Sequence, residues 1–267
     1  MNYQTIKVEV REPIWFLQFH RPDANNTISN ELIAECHKVL DDCEQSATVV
    51  VLSGTPDVFC LGADFQAIAA TGVAAATQDR GADKLYELWL RLATGPYVTV
   101  SHVRGRTNAG GVGFVAASDI VLANETAQFS LSEILFGLYP ACVLPFLVRR
   151  IGYQRAHYLS LTAQPISARQ ACEWGLVDAC EPASDVLLSR HLQKLRRLSR
   201  TAIRRYKSYM SEICMPLREL QAPAVAANVE VFSDPDNLRG ITRYVREGVF
   251  PWEIVAGRVQ DERCADV

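Results

Sequence analysis

Residues 48–54, TVVVLSG, form an unbroken run of β-branched and aliphatic side chains closed by a glycine. Such a run offers no polar face to water. It predicts a strand buried on both sides, the kind found in sheets covered by helices on each face. The neighbouring segments fit that frame. Residues 4–10 (QTIKVEV) and 14–19 (IWFLQF) flank Arg11-Glu12-Pro13 as the arms of a hairpin do. Ser29 precedes an amphipathic stretch and predicts the N-cap of a helix over roughly 30–44. KLYELWLRLATG (84–95) has helical apolar spacing, YVTVSHVRG (97–105) returns to strand, and GGVGFVAASDIVLA joins a glycine turn, a small-residue helix and another strand. Residues 66–82 are alanine-rich and weakly patterned, and fit either a mobile helix–loop segment or a plain surface loop. From about 153 onward helical patterns dominate, with a basic amphipathic helix expected over 191–210. Strands alternating with helices and followed by a helical tail predict α/β layering.

Composition bounds the class. A chain of 267 residues, 49% hydrophobic and 21% charged, fits one large globular domain or a domain with a small appendage. The formal charge of -3 gives no reason to expect nucleic acid or a membrane surface as partner. No apolar run reaches the ~18 residues of a spanning helix. The N-terminal MNYQTIKVEVREP lacks the basic start and apolar core of a signal peptide, so a cytoplasmic location is expected. The eight cysteines are scattered without a CxxC pair, which predicts reduced, mostly buried thiols and no metal site. A nucleophilic Cys142 stays open.

Three segments carry the chemistry: FCLGADF (59–65), RTNAGGVGF (106–114) and FSLSEILFGLYPACV (129–143). Together with HRPDANNTIS, PISARQACEWGLVDA and NVEVFSDPDNLRG, in this order, they resemble the crotonase (enoyl-CoA hydratase/isomerase) superfamily over nearly the whole chain. The resemblance implies a crotonase (ClpP/crotonase-like) spiral of ββα repeats over 1–190 and a C-terminal helical region over 191–267 used in trimer formation. It also implies that the backbone amides of Ala63 and Gly110 form an oxyanion hole, with Glu133 as the base at the α-carbon. Glycines at 110 and 111 would let the backbone approach the ligand. The bland alternatives are a tight turn at the glycines and a surface charge at Glu133.

One departure narrows the reading. Where a two-glutamate hydratase of the family has its first carboxylate, this chain has Gly113. RTNAGG, SEILFGLYPACVLPFLVRRIG and FPW are similar to the dehydratase branch of the family that works in β-branching of bacterial polyketides. That implies a hydro-lyase acting on 3-hydroxy-3-methylglutaryl carried by an acyl carrier protein, without a cofactor beyond the carrier's phosphopantetheine. It implies as partners the carrier protein, a homotrimer or a pair of trimers, and a decarboxylase of the same fold. A decarboxylase, a CoA-level hydratase and a silent carrier-binding scaffold are the competing readings. Asn108 is either a substrate ligand or a turn residue, and Asp64 either touches substrate or caps the next helix. Arg106, Tyr86 and Tyr139, with His102 and Lys84 behind them, are candidates for the substrate's distal carboxylate, although His102 on its strand fits a satisfied core or interface residue better. Arg204, Arg205 and Lys207 belong to a basic run that is either a solvated helix face or a carrier-docking surface.

Overall fold

The structure is a computed structural model that describes residues 3–71, 81–214 and 216–253. Strand β1 (Ile6–Arg11) pairs antiparallel with β2 (Ile14–Phe19), as the hairpin pattern predicts. Helix α1 (Asn30–Ser46) begins at Ser29, whose hydroxyl accepts from the Leu32 N–H at 3.2 Å. Its apolar stripe of Leu32, Ile33, Cys36, Val39, Leu40 and Cys43 is buried. The 48–54 run becomes β3 (Val49–Ser53), in which Val49, Val50, Val51 and Leu52 are all buried.

Three times the chain then repeats one pattern: a strand in the main sheet, a short strand in a second sheet, and a helical element. β3 is followed by β4 (Val58–Cys60) and helices α2 (Phe65–Thr71) and α3 (Ala82–Thr94). β5 (Val98–Val103) is followed by β6 (Arg106–Asn108) and α4 (Gly110–Ala117). β7 (Ile120–Ala123) is followed by β8 (Gln128–Ser130), a 3₁₀ turn over Glu133–Phe136, and α5 (Leu144–Ile151). Helices α6 (Tyr153–Thr162) and α7 (Ala168–Trp174) follow, and the two sheets order as β1-β2-β3-β5-β7-β10 and β4-β6-β8-β9, with β9 at Ile166–Ser167 and β10 at Ala179–Cys180. Strands β4, β6 and β8 are parallel neighbours. The chain therefore leaves the second sheet three times along one edge, and the three motifs of the sequence are those exits.

The last part of the chain departs from its expected outline. The basic stretch is not one helix over 191–210. Helix α8 (Ser184–Leu195) crosses the expected 190/191 boundary, and α9 (Arg200–Ile213) starts afresh after a break at 196–199. Arg200 explains the break: its guanidinium donates to the carbonyls of Glu44, Gln45 and Ala47, capping the end of α1. Helices α10 (Gln221–Ser233) and α11 (Pro235–Glu247) then fold back over the site. There Phe136, Leu138, Val231 and Ile241 form a small second core with Phe65, Tyr244 and Phe250 packed on it. Of the alanine-rich stretch, 65–71 is helical; its remaining expectation, over 72–80, lies outside the described residues. No helix among the described residues is long and apolar enough to cross a membrane.

Candidate active site

A cavity of about 960 Å³ opens where the three exits meet, lined by Ala63, Gly110, Glu133, Asn108, Ser132 and Trp89 among others. Helices α10 and α11 close its far wall through Val229, Phe232, Tyr244 and Val245. The lining is mainly apolar, so charges that face it are poorly screened and fixed dipoles act strongly.

The first exit is shaped by Gly62, whose φ of +82° places it in the left-handed region. A β-carbon there would sit 2.9 Å from the Gly110 nitrogen, so only glycine allows the two loops to touch. The Gly62 carbonyl accepts from the Ile28 N–H at 2.7 Å. Ala63 bridges Ile28 in parallel fashion, a pairing that leaves its own N–H outside the ladder. At the second exit Ala109 takes φ +53° and ψ −126°, a strained conformation for alanine, and turns the chain so that Gly110 opens α4. Among the described residues no hydrogen bond engages the N–H of Ala63 or of Gly110. Two unengaged donors on touching loops at one cavity wall fit the predicted oxyanion hole.

Glu133 opens the 3₁₀ turn after β8, and only 7% of its surface is exposed. Its Oε2 is buried without a hydrogen-bond partner among the described residues. Burial pushes the carboxyl up to about 7, against a smaller opposing pull from the amides of Glu133 and Ser132. A carboxylate poised there can accept a proton at neutral pH. The bland reading of Glu133, a surface charge paired with an arginine, is excluded by these observations.

Gly113 is not empty space. A β-carbon at this position would lie 2.6 Å from Cη2 and 2.7 Å from Cε2 of Trp89, whose indole from α3 fills the volume a first carboxylate would need. Phe114 and Phe146 hold that ring edge-on, with centroids 5.8 and 5.9 Å away. The Trp89 indole thus stands where any side chain at position 113 would have to go.

Other expected residues divide. Asn108 and Tyr139 line the cavity. Asp64 lines it too but is occupied: Oδ1 accepts from the Ala67 N–H at 3.0 Å, and Oδ2 accepts from Arg21 at 3.1 Å and Thr27 at 3.3 Å. It caps α2 and ties down the loop before α1. Gly111 faces away from the cavity; its bare Cα lets α4 pack on the backbone of Cys60, whose carbonyl carbon a β-carbon would meet at 2.9 Å. Tyr86 is fully buried and donates to the Leu217 carbonyl at 2.6 Å, so it holds the C-terminal part to α3. Arg106 is exposed on β6, and neither it nor Lys84 lines the cavity. His102 is a core residue, held at 3.0 Å to Ser184 and pushed down to about 4 by burial. Among the described lining residues there is no lysine or arginine; Tyr139, Tyr244, Asn108 and Ser132 are among its neutral donors. Lys207 is buried, its ammonium donating to Asp119 at 2.6 Å and to the carbonyls of Leu92 and Tyr97, and is therefore not part of any docking surface. Arg204 and Arg205 are exposed on the same helix.

Cys36, Cys43, Cys60 and Cys142 are buried, and burial pushes the Cys60 thiol up to about 12. Cys142 lines the cavity, with its sulfur 3.6 Å from the Ala224 carbonyl. Among the described residues no cluster of His, Cys, Asp or Glu could hold a metal ion. Sequence reasoning missed Trp89, Ser132 and Asn26. Buried Asn26 clamps the loop before α1, donating to the carbonyls of Val58 and Phe59 and accepting from the Arg21 N–H.

Interleaved strands whose exits bring two unengaged backbone donors beside a buried carboxylate outline a class, and sequence comparison names it. The family model described as enoyl-CoA hydratase/isomerase matches residues 9–254, and the chain belongs to that family. It is 56% identical over 254 residues, 95% of this chain and 98% of the other, to the bacillaene synthase dehydratase PksH of Bacillus subtilis. The crystal structure of the polyketide biosynthesis enoyl-CoA hydratase PksH from Bacillus subtilis superposes with a TM-score of 0.91, covering 94% of this chain and all of that one. The chain is also 30% identical to the 2,3-dehydroadipyl-CoA hydratase of Escherichia coli, across 72% of this chain and 75% of the other.

Proposed function

We propose that this protein is a dehydratase of bacterial polyketide biosynthesis, removing water from a 3-hydroxy-3-methylglutaryl thioester on an acyl carrier protein to give the 3-methylglutaconyl thioester. The observation that carries the reading is a cavity with, among the described residues, a single buried carboxylate, that of Glu133, beside two unengaged backbone donors. The likeness to the dehydratase PksH supports the same reaction class.

The thioester carbonyl sits against the N–H groups of Ala63 and Gly110. Glu133 takes the α-proton, and the negative charge that builds on the carbonyl oxygen is met by donors already in position. Such a donor lowers the barrier by about 2.7–4 kcal/mol. Expulsion of the 3-hydroxyl forms the double bond, and the proton held by Glu133 passes to the departing oxygen. One carboxylate serves as base and then as acid, which requires both groups to leave from the face that Glu133 occupies. Its position near neutrality suits both roles. The indole of Trp89 puts an apolar wall where the other carboxylate would stand in a two-glutamate enzyme, beside which the 3-methyl branch can pack.

The phosphopantetheine arm belongs to the substrate, and no further cofactor enters. The carrier protein docks on the exposed face of α9 through Arg204 and Arg205, the protein works as a homotrimer in the cytoplasm, and a decarboxylase of the same fold consumes the product. Intact-mass spectrometry of a carrier protein loaded with 3-hydroxy-3-methylglutaryl tests the reaction: loss of one water is expected. Loss of carbon dioxide from the dehydrated carrier would assign the decarboxylase role instead, and an unchanged mass would favour a scaffold.

A further inference from the structure

The proton held by Glu133 has to reach a particular oxygen, and a directional hydrogen-bond chain ends beside it. Ser130 Oγ donates to Asn108 Oδ1 at 2.9 Å, and Asn108 Nδ2 donates to Ser132 Oγ at 2.8 Å. In this arrangement the amide oxygen faces Ser130 and the nitrogen faces Ser132. With Asn108 donating to its oxygen, the Ser132 hydroxyl has its own hydrogen left to give, and among the described residues nothing accepts it. Ser130 lies behind the wall, whereas Asn108 and Ser132 line the cavity. The chain thus runs from the interior toward the substrate.

Its location ties the two halves of the chemistry. Asn108 immediately precedes the Ala109-Gly110 donor loop and Ser132 immediately precedes Glu133. A backbone bond from Ala109 N–H to the Ser130 carbonyl at 3.0 Å runs alongside, so the two exits are fixed to one another. In a two-glutamate enzyme a second carboxyl would hold the hydroxyl; here Trp89 occupies that volume and has no acidic proton to offer.

We infer that Ser132 is the residue that holds the substrate's leaving 3-hydroxyl by donating a hydrogen bond to it, and that Asn108 is a positioning residue which aims the Ser132 O–H into the cavity. The inference rests on the dehydratase reading and deepens it. No proton is lost from Ser132: the C–O bond breaks with its electron pair on oxygen, the proton comes from Glu133, and Ser132 steadies the charge on that oxygen as it grows.

Two reactions separate this role from a structural one. The first is loss of water from the 3-hydroxy-3-methylglutaryl carrier. The second is Glu133-dependent exchange of the α-proton for deuterium in the 3-methylglutaryl thioester, which has no hydroxyl to hold. Ser132→Ala should slow dehydration about 10- to 100-fold, the range for a hydrogen bond to a developing charge, and leave exchange within about twofold of the parent. Asn108→Asp offers Ser132 an acceptor in place of a donor and turns its hydrogen away from the cavity; it should match the loss in dehydration. The same proportional loss is expected with a 3-hydroxy-3-methylbutyryl thioester, which keeps the hydroxyl but lacks the distal carboxylate. Parent-like dehydration by Ser132→Ala would overturn the inference. So would a parallel fall in exchange, which would make Ser132 a support for Glu133, or a loss confined to the glutaryl substrate, which would make it a carboxylate ligand. A parent inert in both reactions would overturn the dehydratase reading itself.

Discussion

Glu133 should make the protein less stable as the pH rises, and Glu133→Gln should remove that dependence. The buried carboxyl titrates near 7 in the folded chain, against 4.5 for the free side chain. A group raised in this way stabilises the fold fully below its unfolded value, and the contribution is lost as the pH climbs through the folded one. Between pH 5 and pH 8 the parent should lose about 2–3 kcal/mol from this group alone, at roughly 1.4 kcal/mol per unit. Glutamine keeps the shape and hydrogen-bonding capacity without a charge to bury. Urea unfolding of both proteins at pH 5 and pH 8 gives the difference in stability at each pH, and the background titrations cancel. The variant should gain on the parent by about 2–3 kcal/mol between the two conditions, while losing dehydration. A difference that does not move with pH would mean that Glu133 is solvated, and would remove the physical basis for its acting as a base at neutrality.

The remaining predictions concern other parts of the site and the α9 face. Gly113→Glu should not create a two-carboxylate hydratase: the new side chain collides with Trp89, and overpacking should cost about 1–3 kcal/mol in thermal unfolding. Gly62→Ala should lower the dehydration rate, because it forces the two donor loops apart; parent-like turnover would show that their contact is dispensable. Charge reversal at Arg204 and Arg205 should weaken carrier binding most at low salt, as titration calorimetry at two ionic strengths would register. Lys207→Ala, by contrast, takes the ammonium donor away from the carbonyls of Leu92 and Tyr97 and from Asp119, and should cost about 1–3 kcal/mol of stability with no change in the salt dependence of binding.

What the sequence discloses here follows from how local each signal is. The VVVL run, the Ser29 cap and the 84–95 periodicity are each written in adjacent residues and emerge as β3, α1 and α3. The catalytic segments are legible because each follows a short strand of the second sheet within two or three residues. Trp89 and Ser132 are not legible in the same way. A tryptophan in an amphipathic helix looks like core, and only the register of α3 against α4 brings its ring over Gly113. Ser132 gains its direction from Asn108, 24 residues earlier. The same limit explains the misassigned cations and rings: Lys207 and Tyr86 look available in a line of sequence, but long-range contacts to Asp119 and Leu217 use them up. Gly111 has the same spacing in either role, and the proximity of Cys60 decides between them.

The claim that one carboxylate does all the proton handling is tested most directly by the pH profile of single-turnover dehydration on the loaded carrier protein. Glu133 must begin ionised, and it returns the proton it has taken, so the rate should rise with pH through one ionisation near 7 and then stay level. A bell-shaped profile, with the rate falling again at higher pH, would show that a separate acid protonates the leaving hydroxyl and would contradict the account.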